Sequence, residues 1–198
     1  MSKTFGLDHI RAANAAGQED FGENRIQEAL QKMAGSADLL IRWHLVGTLQ
    51  SNKVRRAAER FAWIHSVDSL PLLQRLENAA AAAGTRPNVL VQVDLAGEAT
   101  KHGVEPAAVP AIFEAARAWR GVRVAGLMVL PPWFDDPEGA RPYFRQLRQL
   151  RDHLKSSGVP TDMLDELSMG MSHDFEVAIQ EGATIVRIGT AIFGARAR

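Results

Sequence analysis

Short apolar runs of strand length recur along this chain with a helical pattern between one and the next, and that alternation limits the fold more than any other feature. Strands are expected near residues 20–21, 41–46, 63–67, 88–95, 123–130, 163–167 and 184–188. Between them Ile26, Ala29, Leu30 and Met33 fall at i, i+3, i+4 and i+7, as do Val109, Ile112, Phe113 and Ala116, which predicts amphipathic helices. Ser69 with Pro71 starts another helix and Gly84 ends it, so the alanine run at 79–83 is helical. Pro142 opens one more, with Tyr143, Leu147, Leu150 and Leu154 expected on its inner face. Continuous apolar strands between amphipathic helices mean parallel strands buried on both sides. With 198 residues and 46% apolar content, one core suffices, so residues 1–198 are expected to form a single α/β domain.

The last two strands carry a candidate anion site. The segment from Glu166 to Asp174 and the segment from Ile185 to Gly194 each run from an apolar strand through small residues into a helix start, where unpaired N–H groups can hold a phosphate. Ser172 is expected to cap a helix bearing Phe175, Ala178 and Ile179 on one face, and Gly189 stands beside the hydroxyl of Thr190. Phosphate turns on the last two strands match a (β/α)8 TIM-type barrel. Such a barrel takes eight strands and the pattern supplies seven, so the missing one should precede Lys3. Lys3 then sits at the C-terminal end of a first strand, across from the cradle. A lysine amine opposite a phosphate site suits a Schiff base with pyridoxal 5′-phosphate (PLP).

Charge and composition narrow the classes. Lysine plus arginine and aspartate plus glutamate are 23 each, which leaves no footprint for nucleic acid or an anionic membrane. Zero cysteines exclude disulfides, thiolate metal sites and cysteine nucleophiles. No apolar run is long enough to span a bilayer, and the first residues lack a signal-peptide core, so a cytoplasmic protein is expected. No zinc-protease, Walker or dinucleotide glycine signature is present.

Ser2-Lys3-Thr4, Asp20 to Asn24, Trp43 to Lys53, His65 to Ser69, Gly126 to Met128, Ala140 to Phe144, Ser168 to Ser172 and Arg187 to Gly194, taken in order, closely resemble the pyridoxal phosphate homeostasis protein family. These are single-domain PLP-binding barrels related to the N-terminal domain of alanine racemase. The resemblance implies a PLP-binding protein without an established reaction, one that buffers the cofactor or delivers it to PLP-dependent apoenzymes. It makes Lys3 the Schiff-base lysine, assigns Ser172, Gly189 and Thr190 to the phosphate, and aims Arg187 at the pyridine nitrogen. Asn24, His44, Met128 and Ser168 are placed around the ring. Members carry a helix and a strand ahead of Ser-Lys-Thr where this chain has only Met1. The expectation is therefore a barrel truncated at its N-terminus, lacking its first strand and N-terminal helix, with unpaired neighbouring edges and Lys3 on a frayed end.

Each residue also has a plainer reading. Lys3 alone would be a solvated tail lysine, Ser172, Thr190 and Asn24 helix caps, Gly189 a packing glycine, and Met128 core. Arg187 would form a structural salt bridge and His44 a hydrogen-bonded core histidine. Lys53, Arg55, Arg56 and Arg60 read as a solvated face. The competing function is a PLP-dependent racemase. That chemistry needs a second base opposite the lysine, and the only tyrosine, Tyr143, falls on a helix expected outside the barrel. A monomeric, non-catalytic carrier is the first expectation.

Overall fold

The computed structural model describes residues 1–97 and 102–194. Seven parallel strands follow one another around a sheet in chain order: β1 (Asp20–Glu23), β2 (Arg42–Leu45), β3 (Trp63–Val67), β4 (Asn88–Gln92), β5 (Arg123–Met128), β6 (Glu166–Met171) and β7 (Ile185–Arg187). Helices alternate with them: α1 (Leu7–Ala15), α2 (Ile26–Gly35), α3 (Val54–Arg60), α4 (Leu70–Ala83), α5 (Val109–Ala116), α6 (Arg141–Ser156), α7 (Phe175–Gln180) and α8 (Thr190–Phe193). Strand order equal to chain order, with a helix after every strand, is the connectivity of a (β/α)8-type barrel.

The helices form where the apolar stripes lie. Ile26, Ala29 and Met33 of α2 are buried, as are Val109, Ile112, Phe113 and Ala116 of α5. Ser69 occupies the N-cap of α4, Pro71 its first turn, and Gly84 closes it in the left-handed conformation at φ +66°. These faces pack on the outside of the sheet, and the strands are buried from both sides. A second apolar cluster of Leu90, Ala125 and Met128 fills part of the barrel interior. Gly126 has φ +156°, and a Cβ there would run into the backbone of Glu166 on β6, so this pair of strands meets only because residue 126 has no side chain.

Three expectations change. The strand expected at 163–167 starts later: Met163 ends a 3-10 turn, and β6 runs from Glu166 through Gly170 to Met171. On α6 the buried positions are Phe144, Leu147 and Leu154, while Tyr143 is only partly buried and packs beside Phe134. The third concerns the gap between β7 and β1, where among the described residues no eighth strand is present. Met1 and Ser2 lie there and are tied on both sides. The Met1 ammonium donates to Ile188 O at 2.6 Å, and the Ser2 N–H donates to Gly22 O on β1 at 2.9 Å. Ser2 is fully buried, its hydroxyl donates to Glu23 Oε1 at 2.6 Å, and its carbonyl accepts from Lys32 Nζ at 2.8 Å. The segment before Lys3 is pinned at four points in the folded chain.

Candidate functional site

At the C-terminal ends of the strands lies a cavity of about 820 Å³ whose lining includes Lys3, Asn24, Ser172, Arg187, Gly189 and Thr190. Lys3 reaches this wall from a turn closed by the Phe5 N–H donating to Ser2 O at 3.1 Å. Within that turn Thr4 adopts φ +70°, a left-handed conformation that costs a β-branched residue about 1–3 kcal/mol. The bonds on Met1 and Ser2 supply the restraint that keeps it there.

Opposite Lys3, the turns after β6 and β7 are laced together. Asp174, and not Ser172, is the N-cap residue of α7, and its carboxylate accepts the Met171 N–H at 2.6 Å. Ser172 lies two residues earlier in the chain, where its hydroxyl oxygen accepts the Gly189 N–H at 2.9 Å and the Ala191 N–H at 3.3 Å. Among the described residues nothing accepts the Ser172 O–H itself, which leaves a donor at the cavity wall. Between the two turns lies Arg187, the last residue of β7. Its guanidinium donates to Ser168 Oγ and to Val129 O, both at 2.8 Å. Among the described residues no carboxylate is within ion-pair distance of it. Burial pushes it down to about 10, with Asp174 opposing the shift, so it remains a cation at neutral pH. A fully buried cation without a paired anion favours an anionic or acceptor ligand beside it.

Three of the residues expected around a ring do not line this cavity. His44 lines a second cavity of about 610 Å³ at the opposite, N-terminal mouth, and its ring stacks on Trp63 at 5.7 Å. Ser168 and Met128 are fully buried inside the barrel. Register explains both placements. His44 pairs with Trp63 at the start of β3, and Ser168 pairs with Met128 and Ile185, two residues before Arg187 on β7. Ser168 therefore lies beneath Arg187 as its acceptor.

Conversely, Gln92 and Asp94 at the end of β4, His102, Trp133 and His173 line the cavity without having been singled out in the sequence. Trp133 is 68% exposed and stacks on His173 at 4.6 Å. Its signal was present: a tryptophan after two prolines, directly behind an apolar strand, occupies a βα loop on the face where such barrels keep their sites. Among the described residues no group of three side chains is placed to hold a metal ion, and no helix is long and apolar enough to cross a membrane.

A sequential parallel barrel with a lysine, a buried arginine and two small-residue turns around its C-terminal mouth defines a class, and the family model described as the alanine racemase N-terminal domain matches residues 2–197. Proteins named pyridoxal phosphate homeostasis protein are similar along almost the whole chain. That of Pseudomonas aeruginosa is 47% identical over 196 residues, 99% of this chain and 83% of the relative. That of Aquifex aeolicus is 46% identical over 195 residues, 98% of this chain and 85% of the relative. The chain belongs to the pyridoxal phosphate homeostasis protein family, within the alanine racemase N-terminal domain group. Among solved structures, PipY of Synechococcus elongatus PCC7942 with PLP bound is similar at a TM-score of 0.91 and 43% identity, over 98% of this chain and 90% of that one. Alanine racemase of Clostridium difficile 630 shares the fold at a TM-score of 0.80 and 14% identity, over 98% of this chain and 50% of the racemase.

Proposed function

We propose that this protein binds pyridoxal 5′-phosphate in the C-terminal cavity, with Lys3 as covalent anchor, and acts in intracellular homeostasis of the cofactor without turning over a substrate. The observation that carries this reading is the arrangement of one cavity: a lysine at one wall, the Ser172–Gly189–Thr190 turns facing it, and the buried cation of Arg187 between them. The residues fit the group. A volume of about 820 Å³ admits a molecule of that size, the Ser172 O–H is placed to donate to a phosphate oxygen, and Arg187 offers N–H donors to a ring nitrogen. The relatives' shared name and the PLP bound to PipY point the same way.

When bound, PLP offers an aldehyde to amines and, in enzymes, a ring that withdraws electrons. Lys3, at the cavity wall, would hold the cofactor through its amine. Arg187, itself a cation, would disfavour a proton on a neighbouring ring nitrogen and so weaken the electron sink. One further point supports a carrier over a racemase: Tyr143 lies on α6, outside the sheet and away from the cavity. On this reading the protein is a cytoplasmic monomer, with PLP-dependent apoenzymes as recipients, and it engages neither nucleic acid nor membrane.

Borohydride reduction of the PLP-loaded protein followed by peptide mapping tests the anchor. The label is expected on Lys3; a label on Lys53, or on Lys101, which lies outside the described residues, overturns the assignment. Solvent deuterium exchange at the Cα of alanine or serine tests the absence of turnover, and exchange at about 1 s⁻¹ or faster would make the protein an enzyme.

A further inference from the structure

The acceptor of Arg187 is the end of a longer chain of contacts through the barrel interior. Ser168 Oγ, which accepts from Arg187 Nη1, stands 2.9 Å from His65 Nδ1. His65 Nε2 stands 2.9 Å from His44 Nδ1, and His44 Nε2 stands 3.0 Å from Asp20 Oδ1. Five side chains from β7, β6, β3, β2 and β1 thus connect the floor of the C-terminal cavity with the N-terminal mouth.

With both rings neutral, the Asp20 end determines the direction of every bond up to Ser168. A guanidinium only donates and an ionised carboxylate only accepts. Asp20 is ionised, because the Arg42 guanidinium holds its carboxyl down at about 2, with His44 assisting. His44 must therefore carry its proton on Nε2, which leaves Nδ1 as an acceptor. His65 must then donate from Nε2 and accept at Nδ1, and among the described residues the only donor available to Nδ1 is the Ser168 hydroxyl. Every proton points from Arg187 toward Asp20, and both rings are neutral Nε2–H tautomers.

We propose that Asp20, His44, His65 and Ser168 form a one-directional hydrogen-bond wire, and that His65 is a positioning residue, acting through Ser168 on the guanidinium of Arg187. A proton added to His65 is disfavoured. Its new Nδ1–H would face Ser168, the hydroxyl would lose its acceptor, and a second cation would stand one hydroxyl away from Arg187. The charged and titratable groups facing the two rings are Asp20 on β1, Arg42 on β2, Glu166 on β6, Arg187 on β7 and the Met1 ammonium. Burial lowers both histidines, His65 the more strongly, with His44 and Arg187 adding repulsion, which keeps the two enclosed rings neutral. The consequence for ligand, which rests on PLP occupying the upper cavity, is that its grip on Arg187 depends on a proton pattern extending to the other end of the barrel.

The test begins without PLP. Ring-nitrogen NMR of the histidine-labelled full chain, assigned with His44→Gln and His65→Gln, should show both rings as neutral Nε2–H tautomers at neutral pH. An Nδ1–H tautomer or a charged ring at neutral pH, at either position, overturns the wire. Asp20→Asn, at the solvent end, replaces an obligatory acceptor by an amide that can also donate, and should produce mixed tautomers; an unchanged spectrum counts against the proposal. With PLP, His65→Leu should weaken retention about tenfold, as expected when a buried hydroxyl loses its acceptor, and His65→Gln, which keeps one acceptor and one donor, should recover most of it. Equal affinity and an equal pH profile in wild type and His65→Leu would refute the positioning role. A wild type that fails to bind PLP would refute the proposed function instead, and the tautomer measurement would still decide the wire.

Discussion

Replacing Lys32 by methionine should be among the most damaging single changes in this protein, although the residue lies on α2, away from the cavity. Lys32 Nζ is 2.7 Å from Glu23 Oε1, and the two side chains are 12% and 0% exposed. Glu23 Oε1 also accepts the Ser2 hydroxyl, and Oε2 is buried without a hydrogen-bond partner among the described residues. Lys32→Met strips the charge partner from a carboxylate that water does not reach, and deletes the donor to the Ser2 carbonyl. Breaking a buried ion pair from one side costs about 3–5 kcal/mol, a large share of the roughly 5–15 kcal/mol by which a domain is stable. For a chain of this size that corresponds to a fall in Tm of roughly 6–20 °C.

Glu23→Gln in the same chain removes the stranded charge and retains an acceptor for Ser2, so the double variant should regain at least about 2 kcal/mol of the loss. Urea unfolding of the four proteins closes the cycle. A single-variant loss below about 1 kcal/mol, the size of an exposed pair, would refute the reasoning, as would two costs that simply add.

Other expectations follow from the same geometry. Ser172→Ala removes the acceptor shared by Gly189 and Ala191 and should weaken PLP retention by about 1–3 kcal/mol in equilibrium dialysis; equal retention would remove Ser172 from the phosphate site. His44 and His65 have lowered values in the folded state, so their contribution is complete above the unfolded value of 6.5 and is lost as pH falls below it. The slope should approach about 2.7 kcal/mol per pH unit while both histidines are protonated only in the unfolded chain, and urea midpoints that stay constant from pH 7 to pH 5 would contradict two buried neutral rings. Gly126→Ala should cost more than about 2 kcal/mol through its clash with the Glu166 backbone and its positive φ, read as a loss in Tm; a variant as stable as wild type would mean β5 can move away from β6.

The helices and the parallel order of strands were legible because burial leaves a period in the sequence, as at Ile26, Ala29 and Met33. Boundaries were less so. The pair Met163–Leu164 is as apolar as a strand but belongs to a turn, and the phase of α6 turned on a choice between neighbouring aromatics, Tyr143 and Phe144. The grouping of Lys3 with Ser172, Gly189 and Thr190 was legible from strand ends alone, since a barrel brings all such ends to one mouth. Depth within the barrel was not. Whether His44, Ser168 and Met128 meet the upper cavity depends on strand stagger, and the contact between His65 and Ser168 joins residues 103 positions apart with no local pattern to announce it. The Glu23–Lys32 pair escaped notice because a glutamate on a short strand and a lysine on a helix look like ordinary surface residues.

The tie between the Met1 ammonium and Ile188 O has a kinetic side. Around the rest of the ring each strand docks on its predecessor across a short stretch of chain, as Trp63 does on His44. This contact joins positions 187 apart, and the loop-closure entropy for that span exceeds the cost for a neighbouring pair by about 2 kcal/mol. The ring should close last in folding and open first in fluctuation. Lys3 lies on one side of that seam and Arg187, Gly189 and Thr190 on the other, so a molecule held between them works as a clasp. Amide exchange at Ser2, which opening of the seam exposes, should slow on binding while exchange in β3 and β4, far around the ring, stays as it was.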